Sequence, residues 1–307
     1  MKYMFIEEYC TEHSVEILCR VLKVSRSGYY AWLHRSVGSR EQANRALLEH
    51  IRRFHRESRE TYGSPRVVRD LRAMGIHCGK NRVARLMRRN GLVAKATRRF
   101  KVTTRSRQGA QYAPDRLQRN FAAEKPNQVW TSDITYIWTS EGWLYLAVVL
   151  DLFSRRIVGW ATSALIDANL VCQAFDRALK RRNPHSELIV HSDRGGQYIS
   201  DGLRKLLDSQ DVRILQSHGL SCYDNAVTES VFHTLKTECV HFEHYRTRSE
   251  AHDSLFDYIE VFYNRKRRHS SLGYRTPSEI EESFNNAQLT VRRIGERSTT
   301  QGICDSG

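Results

Sequence analysis

Three acidic residues stand out by their surroundings: Asp133, Asp193 and Glu229. Asp133 interrupts Trp130-Thr131-Ser132-Asp133-Ile134-Thr135-Tyr136, a β-branched and aromatic run that reads as a strand, where a charge is costly to bury without a partner. Asp193 closes the short run Leu188–Ser192 and precedes Arg194-Gly195-Gly196, a turn at the carboxyl end of a strand, where open α/β sheets place ligands. Glu229 falls on a helix predicted over Asp224–Cys239. The apolar stripe of that helix is Val227, Val231, Phe232 and Leu235, while Glu229, His233 and Lys236 share another face at +4 and +7. Brought to one point by two strands and a helix, the three carboxylates form an oxygen-rich site for hard divalent cations. Mg²⁺ typically takes one or two carboxylates and keeps water and phosphate oxygens. Two such ions about 4 Å apart activate a water or hydroxyl and stabilise the leaving oxygen of an in-line phosphoryl displacement. This is the chemistry of a nuclease or a strand transferase.

Other constellations point elsewhere. His191-Ser192-Asp193 is no hydrolase triad, because consecutive strand residues face opposite sides and no G-x-S-x-G elbow exists. Arg194-Gly195-Gly196 lacks the ending of a P-loop. Asp151, at a strand end, reads as a structural or capping carboxylate, and Asp224-Asn225 as the cap of the catalytic helix, with Asn225 one turn before Glu229 and able to orient it. His233, Cys239, His241 and His244 do not have a standard structural zinc spacing. Lys266-Arg267-Arg268-His269 has two readings, a phosphate grip beside the active site or a solvated turn.

The elements that must position the acids follow from periodicity. Strands are predicted over Val129–Ile137, Trp143–Asp151 and Arg156–Ala161, then a helix over Asp167–Arg182, the strand Leu188–Ser192, a helix near Gly202–Ser209 and the strand Val212–Leu215 before the Glu229 helix. Three strands followed by alternating helix and strand imply an α/β mixed sheet with helices on its faces. Thr276-Pro277-Ser278-Glu279 is a capping box that opens a helix through Phe284, and the tail from Asn285 has no clear periodicity, so disorder is expected there.

Charge divides the 307-residue chain, whose net charge is +15. Residues 1–124 hold 27 Lys and Arg against 11 Asp and Glu, while residues 125–307 hold 22 against 23. Such asymmetry assigns phosphate contact to one module and other work to the second. The basic module is all-α. Ser64 is the predicted N-cap and Pro65 the first helical residue of a helix with Val67, Val68, Leu71 and Met74 on one face and Gly75 as its stop. The next begins near Lys80, buries Val83, Leu86 and Met87, and turns Arg82, Arg85, Arg88 and Arg89 outward. The pair reads as a helix-turn-helix whose second helix enters the major groove, with a plain basic hairpin as the alternative. Upstream, Val15–Leu22 and Arg26–Leu33 flank Ser25, a predicted N-cap, with Tyr29, Tyr30 and Trp32 packing that small core. Lys101–Asn120 reads as a flexible basic linker.

No apolar run approaches the ~20 residues of a membrane helix, and Met1–Cys10 carries Glu7 and Glu8 where a signal peptide would be apolar. Seven scattered cysteines without a C-x-x-C pair imply a reducing compartment. The expected location is therefore cytoplasmic, in association with the nucleoid.

Five stretches carry a resemblance: WTSDITY (130–136), DLFSRRIVGW (151–160), HSDRGGQY (191–198), SCYDNAVTESVFHTLKTE (221–238) and YNRKRRHSSLGYRTP (263–277), with 35 positions between Asp193 and Glu229. They resemble the transposases with a retroviral-integrase-like catalytic core, specifically the second-frame (OrfB-type) product of two-frame bacterial insertion sequences. Tyr62-Gly63-Ser64-Pro65-Arg66 and Gly91-Leu92-Val93-Ala94 look like that family's helix-turn-helix region. Ser132 stands where Thr is usual, and Gln216–Cys222 is shorter and less basic than the usual loop.

The resemblance implies an RNase H-like core preceded by the helix-turn-helix region, and an Asp-Asp-Glu site at Asp133, Asp193 and Glu229. It implies two Mg²⁺ ions, with Mn²⁺ as the alternative, and cleavage and joining of DNA at element ends. Lys236 matches a position that touches DNA near the site. DNA, a homo-oligomer on DNA, and a first-frame product or frameshift fusion are the implied partners. The expected organisation is 1–40 small helical segment, 41–100 helix-turn-helix domain, 101–124 basic linker, 125–284 catalytic core and 285–307 tail. The rival functions are a DNA-binding regulator without catalysis and a hydrolytic nuclease of the same fold.

Overall fold

The computed structural model describes residues 1–34, 38–95, 123–184, 188–192, 196–198, 200–208, 213–216 and 226–301. The predicted linker therefore lies outside the described residues.

Three short helices come first, α1 (Lys2–Tyr9), α2 (Val15–Val21) and α3 (Arg26–Leu33), around a small core of Ile6, Leu18, Cys19 and Tyr29. Ser25 caps α3 as predicted, its Oγ accepting from Gly28 N at 3.0 Å. Tyr29 is buried and Trp32 packs on it, but Tyr30 faces solvent, contrary to expectation.

The basic module holds three helices, α4 (Ser39–Glu57), α5 (Ser64–Ala73) and α6 (Lys80–Arg89). Leu47 and Ile51 of α4 meet Val67, Val68 and Leu71 of α5 and Val83, Leu86 and Met87 of α6. Gly75, at φ 78°, ends α5 in the left-handed region, which explains the glycine there. Two details differ from the sequence reading. The N-cap of α5 is Gly63 instead of Ser64, and Met74 is largely exposed instead of sharing the apolar face.

The sheet has the order β3-β2-β1-β4-β5, made of β1 (Val129–Thr139), β2 (Gly142–Asp151), β3 (Ile157–Ser163), β4 (Ile189–Ser192) and β5 (Arg213–Gln216). The first three strands form an antiparallel meander; β4 runs parallel to β1, and β5 parallel to β4. This is the predicted mixed α/β sheet, in RNase H-like order. One face is covered by α7 (Ala168–Arg182) and α8 (Asp201–Asp208), which enclose Trp130, Val149, Phe175 and Leu203. At Gly159 a Cβ would come within 2.3 Å of the Ala174 carbonyl, so only glycine lets α7 lie this close to β3.

The other face is covered by α9 (Ala226–Glu238) and α10 (Arg248–Phe256), the latter continuing in π-helical turns over Asp257–Tyr263. Val148 and Leu150 of β2 share that core with Leu235, Leu255 and Phe262, and it runs on without a break into the basic module. Finally α11 (Pro277–Gln301) opens on the predicted capping box, Glu279 N donating to Thr276 Oγ1 (3.1 Å) and Thr276 N to Glu279 Oε2 (2.8 Å). It does not stop at Phe284. Residues 285–301, expected to be a structureless tail, continue the helix. Among the described residues no helix is long and apolar enough to cross a membrane.

Candidate active site

Asp133 lies on β1 with Thr131, Thr135 and Ile137, the face turned toward α9 and α10. It is half-buried, and its Oδ1 accepts from Ile134 N at 2.7 Å. The register sets its position in the sheet: β4 pairs with β1 from Val129↔Ile189 to Ser132↔Ser192 and stops there. Asp133 thus directly follows Ser132, the last β1 residue paired with β4 among the described residues.

Glu229 lies in the first turn of α9, exposed, beside Thr228, which is wholly buried. Val231, Phe232 and Leu235 fix the helix to the core as the predicted stripe. Two contacts tie α9 to β1. Thr131 Oγ1 and Thr228 Oγ1 hydrogen-bond at 3.2 Å, and Lys236 Nζ lies 4.5 Å from the ring centroid of Tyr136. The strand interval from Thr131 to Tyr136 covers about 17 Å and the helix interval from Thr228 to Lys236 about 12 Å, so helix and strand run alongside each other. Asp133 falls inside the first interval and Glu229 inside the second. Burial pulls the Lys236 amine below the usual lysine range.

Asp193 and Asn225 lie outside the described residues. Among the described residues no three His, Cys, Asp or Glu side chains gather closely enough to hold a metal. Cys239 instead sits buried, its Sγ 3.7 Å from Tyr245 Oη and 3.5 Å from Ser254 Oγ. Asp151 takes its predicted structural role: fully buried, it accepts from the backbone N–H of Asn127, Phe153 and Ser154 at 2.7 to 3.0 Å. Burial nonetheless raises its pKa, against the pull of those bonds.

At its other end α9 finishes in Glu238, a carboxylate at a helix C-terminus, where the peptide dipoles disfavour negative charge. Arg267 offsets this through Nε (2.6 Å) and Nη2 (2.7 Å), with Tyr258 Oη donating at 2.9 Å. Arg66 of α5 approaches the same carboxylate at 3.5 Å, so the basic module reaches the helix that carries Glu229. Neighbouring contacts reinforce this junction: Arg268 pairs with Asp70, Arg59 with Asp257, and Tyr62 Oη donates to the Lys266 carbonyl at 3.0 Å. Both readings of Lys266-Arg267-Arg268-His269 are thereby corrected at its centre. Arg267 is buried and Arg268 is committed to Asp70, and neither is turned to phosphate. His269 is buried too; burial, with Arg267 and Arg66 nearby, lowers its pKa to about 3 and keeps the imidazole neutral. Sequence reasoning missed this junction because its partners lie up to 206 residues apart.

On the exposed side of α6, Arg85, Arg88 and Arg89 face solvent as predicted. Arg82 is half-buried and donates from Nε to Asn44 Oδ1 of α4 at 2.9 Å, so it joins two helices instead of pointing outward.

With this geometry in view, comparison with known proteins identifies the family. Two models described as integrase core domain match residues 123–218 and 229–283, and one described as HTH-like domain matches residues 41–100. The class defined is an integrase-core recombinase with a helix-turn-helix-like domain ahead of the core. The transposase InsF of insertion sequence IS3A from Escherichia coli K12 is 43% identical over 283 residues, 92% of this chain and 98% of that one. An uncharacterized 31 kDa protein of insertion element IS600 from Shigella sonnei is 40% identical over 268 residues, 87% of this chain and 98% of that one. The HTLV-2 integrase catalytic core domain in complex with magnesium is similar over 52% of this chain and 98% of that one, at 16% identity and a TM-score of 0.37. The chain belongs to the IS3-type (OrfB) insertion-sequence transposases with an Asp-Asp-Glu integrase core.

Proposed function

We propose that this transposase cuts a DNA strand at the ends of its element and joins the freed 3′-hydroxyl to a phosphodiester of another strand, with Asp133, Asp193 and Glu229 holding the metal. The observation that carries this reading is the double tie of α9 to β1, which sets the Glu229 turn alongside the Asp133 segment. In sequence Asp193 directly follows Ser192, whose partner in the parallel β1–β4 ladder, Ser132, directly precedes Asp133. The donor set fits Mg²⁺ or Mn²⁺: hard carboxylate oxygens on the central strand and on α9, with Glu229 open to solvent and able to share the ion with water and phosphate. When bound, a pair of such ions supplies Lewis acidity at both the attacking and the leaving oxygen of an in-line displacement.

The protein's own side chains do the rest. Asp133 and Asp193 would bridge or ligate the metals, Glu229 would complete the coordination of the second metal, and Asn225 would orient Glu229 from one turn earlier. None acts as a covalent nucleophile. Lys236, held against Tyr136, neutralises a phosphate near the site. Arg85, Arg88 and Arg89 grip the duplex through phosphates, and Arg82 steadies their helix through Asn44. On DNA the chain works as a homo-oligomer, together with a first-frame product or as a frameshift fusion.

A strand-transfer assay on a pre-nicked element end tests the reading. Wild-type protein gives joined product with Mg²⁺ and none with chelator; Glu229→Gln keeps DNA binding and loses nicking. Full nicking by that variant would show the triad to be misassigned. Cut product without joining would reduce the enzyme to a nuclease, and binding alone would make it a regulator.

A further inference from the structure

Beyond Asp133, the outward positions of the β1–β2 hairpin are aromatic. Tyr136, Trp138 and Trp143 are 55%, 60% and 43% exposed, whereas Trp130 and Trp160 are buried. The three rings touch one another edge to face: Trp143 lies 5.0 Å from Tyr136 and 4.8 Å from Trp138, with interplanar angles of 82° and 74°. Neither tryptophan is needed for the core, since the alternate residues Ile137 and Leu144 fill it. An exposed aromatic patch of this kind marks a binding surface.

Its occupant is indicated by the charges around it. Lys236 Nζ sits over the Tyr136 ring, and Arg248 donates from Nε to the Trp143 carbonyl at 3.0 Å, with Glu141 bound to the Arg248 backbone N–H at the hairpin tip. Exposed rings bordered by cations are the combination that binds single-stranded nucleic acid: every base has a face to stack, and the cations take the backbone. Tyr136 and Trp138 alternate with Asp133 and so leave β1 on its other face, and Lys236, reaching from α9 to the Tyr136 ring, links the two sides. From Asp133 to Trp138 is about 17 Å, the length of about five stacked nucleotides.

We propose that Tyr136, Trp138 and Trp143 form a stacking surface for unpaired bases of the DNA strand that leads toward Asp133, so that the enzyme prefers frayed to fully paired ends. The location rests on the active-site reading above; the stacking does not, and it is tested without catalysis.

The full chain is titrated in chelator against three fluorescent DNA ends: a fully paired duplex, the same duplex with three unpaired terminal nucleotides, and the unpaired end with its bases removed. Wild-type protein is expected to bind the frayed end about tenfold more tightly than the paired one and to lose that preference on the abasic end. Trp138→Ala should abolish the preference and leave paired-duplex binding unchanged, and Trp138→Phe should retain it. Equal binding of all three ends by wild-type protein, or an unchanged preference in Trp138→Ala, overturns the proposal. So does conversion of an oligomer to a smaller species by Trp138→Ala in light scattering, which would make a second copy the occupant. Should Trp138→Ala fail to fold, the abasic end and Trp138→Phe decide the matter. Because no metal is present, failure here leaves the Asp133–Glu229 reading intact, and failure of nicking leaves this one intact.

Discussion

Acids of the same type are treated in opposite ways at the two ends of α9. At the C-terminal end, Glu238 is closed in by Arg267, Tyr258 and Arg66 and is 8% exposed. Glu281 on α11 is similar: Arg182 holds it in a two-point grip at 2.8 and 2.9 Å, and Arg156 and Ser154 each approach to 2.8 Å. At the N-terminal end Glu229 faces solvent, and Asp133 on β1 is only half-buried. A buried carboxylate needs nearly all its lone pairs satisfied by the protein, whereas a carboxylate meant for a metal and a phosphate must keep room for them. The difference predicts which acids serve the reaction and which serve the fold.

The contrast can be broken most decisively by Asp133→Asn. Metal-dependent cleavage should fall by more than the roughly 100-fold typical of losing an outer partner, while the thermal melting temperature stays that of the wild type. Conversely, a large drop in melting temperature would move Asp133 into the structural class. Next in size is Arg267→Met, which leaves Glu238 buried without its main cation; loss of such a partner costs about 3–5 kcal/mol, measurable by urea unfolding. Restored stability in the double variant Arg267→Met, Glu238→Leu would sharpen the point.

Glu281 gives a smaller, pH-dependent effect. Burial alone would raise its pKa, but the hydrogen bonds from Arg182 and Ser154 and the charge of Arg156 outweigh that and leave it lowered. Its contribution is therefore fully present above the ordinary glutamate value near 4.5 and is lost as pH falls through the lower folded value. Unfolding curves of wild type and Glu281→Gln should converge in that acid window. The smallest effect is Thr276→Ala, where loss of one cap costs about 1 kcal/mol.

Much of this was legible in the sequence. Alternating Thr131, Thr135 and Ile137 gave β1, and Val231, Phe232 and Leu235 gave α9, because each element buries one face and its period follows. Helix α4 was not read from the sequence: Leu47, Ile51 and Phe54 carry its period, but the high charge of the segment hid it. The pairing of Arg267 with Glu238 could not be read, since a basic run looks alike whether it meets solvent or a carboxylate on a distant element. The same holds for α11 beyond Phe284, whose sequence lacks an apolar stripe. For Asp133 and Glu229, residue type and local period suggested a metal site, which stands as a proposal; the Thr131–Thr228 contact ties their two segments together.

The ion pairs that fasten the basic module to the catalytic body, Arg268 with Asp70 and Arg66 with Glu238, have a metric consequence. A recognition helix on a swinging tether could address phosphates at many separations from its binding sequence. On the proposed reading, a helix fastened at this joint would act as a caliper, the protein setting in whole base pairs the gap between the bases it holds and the bond that is cut.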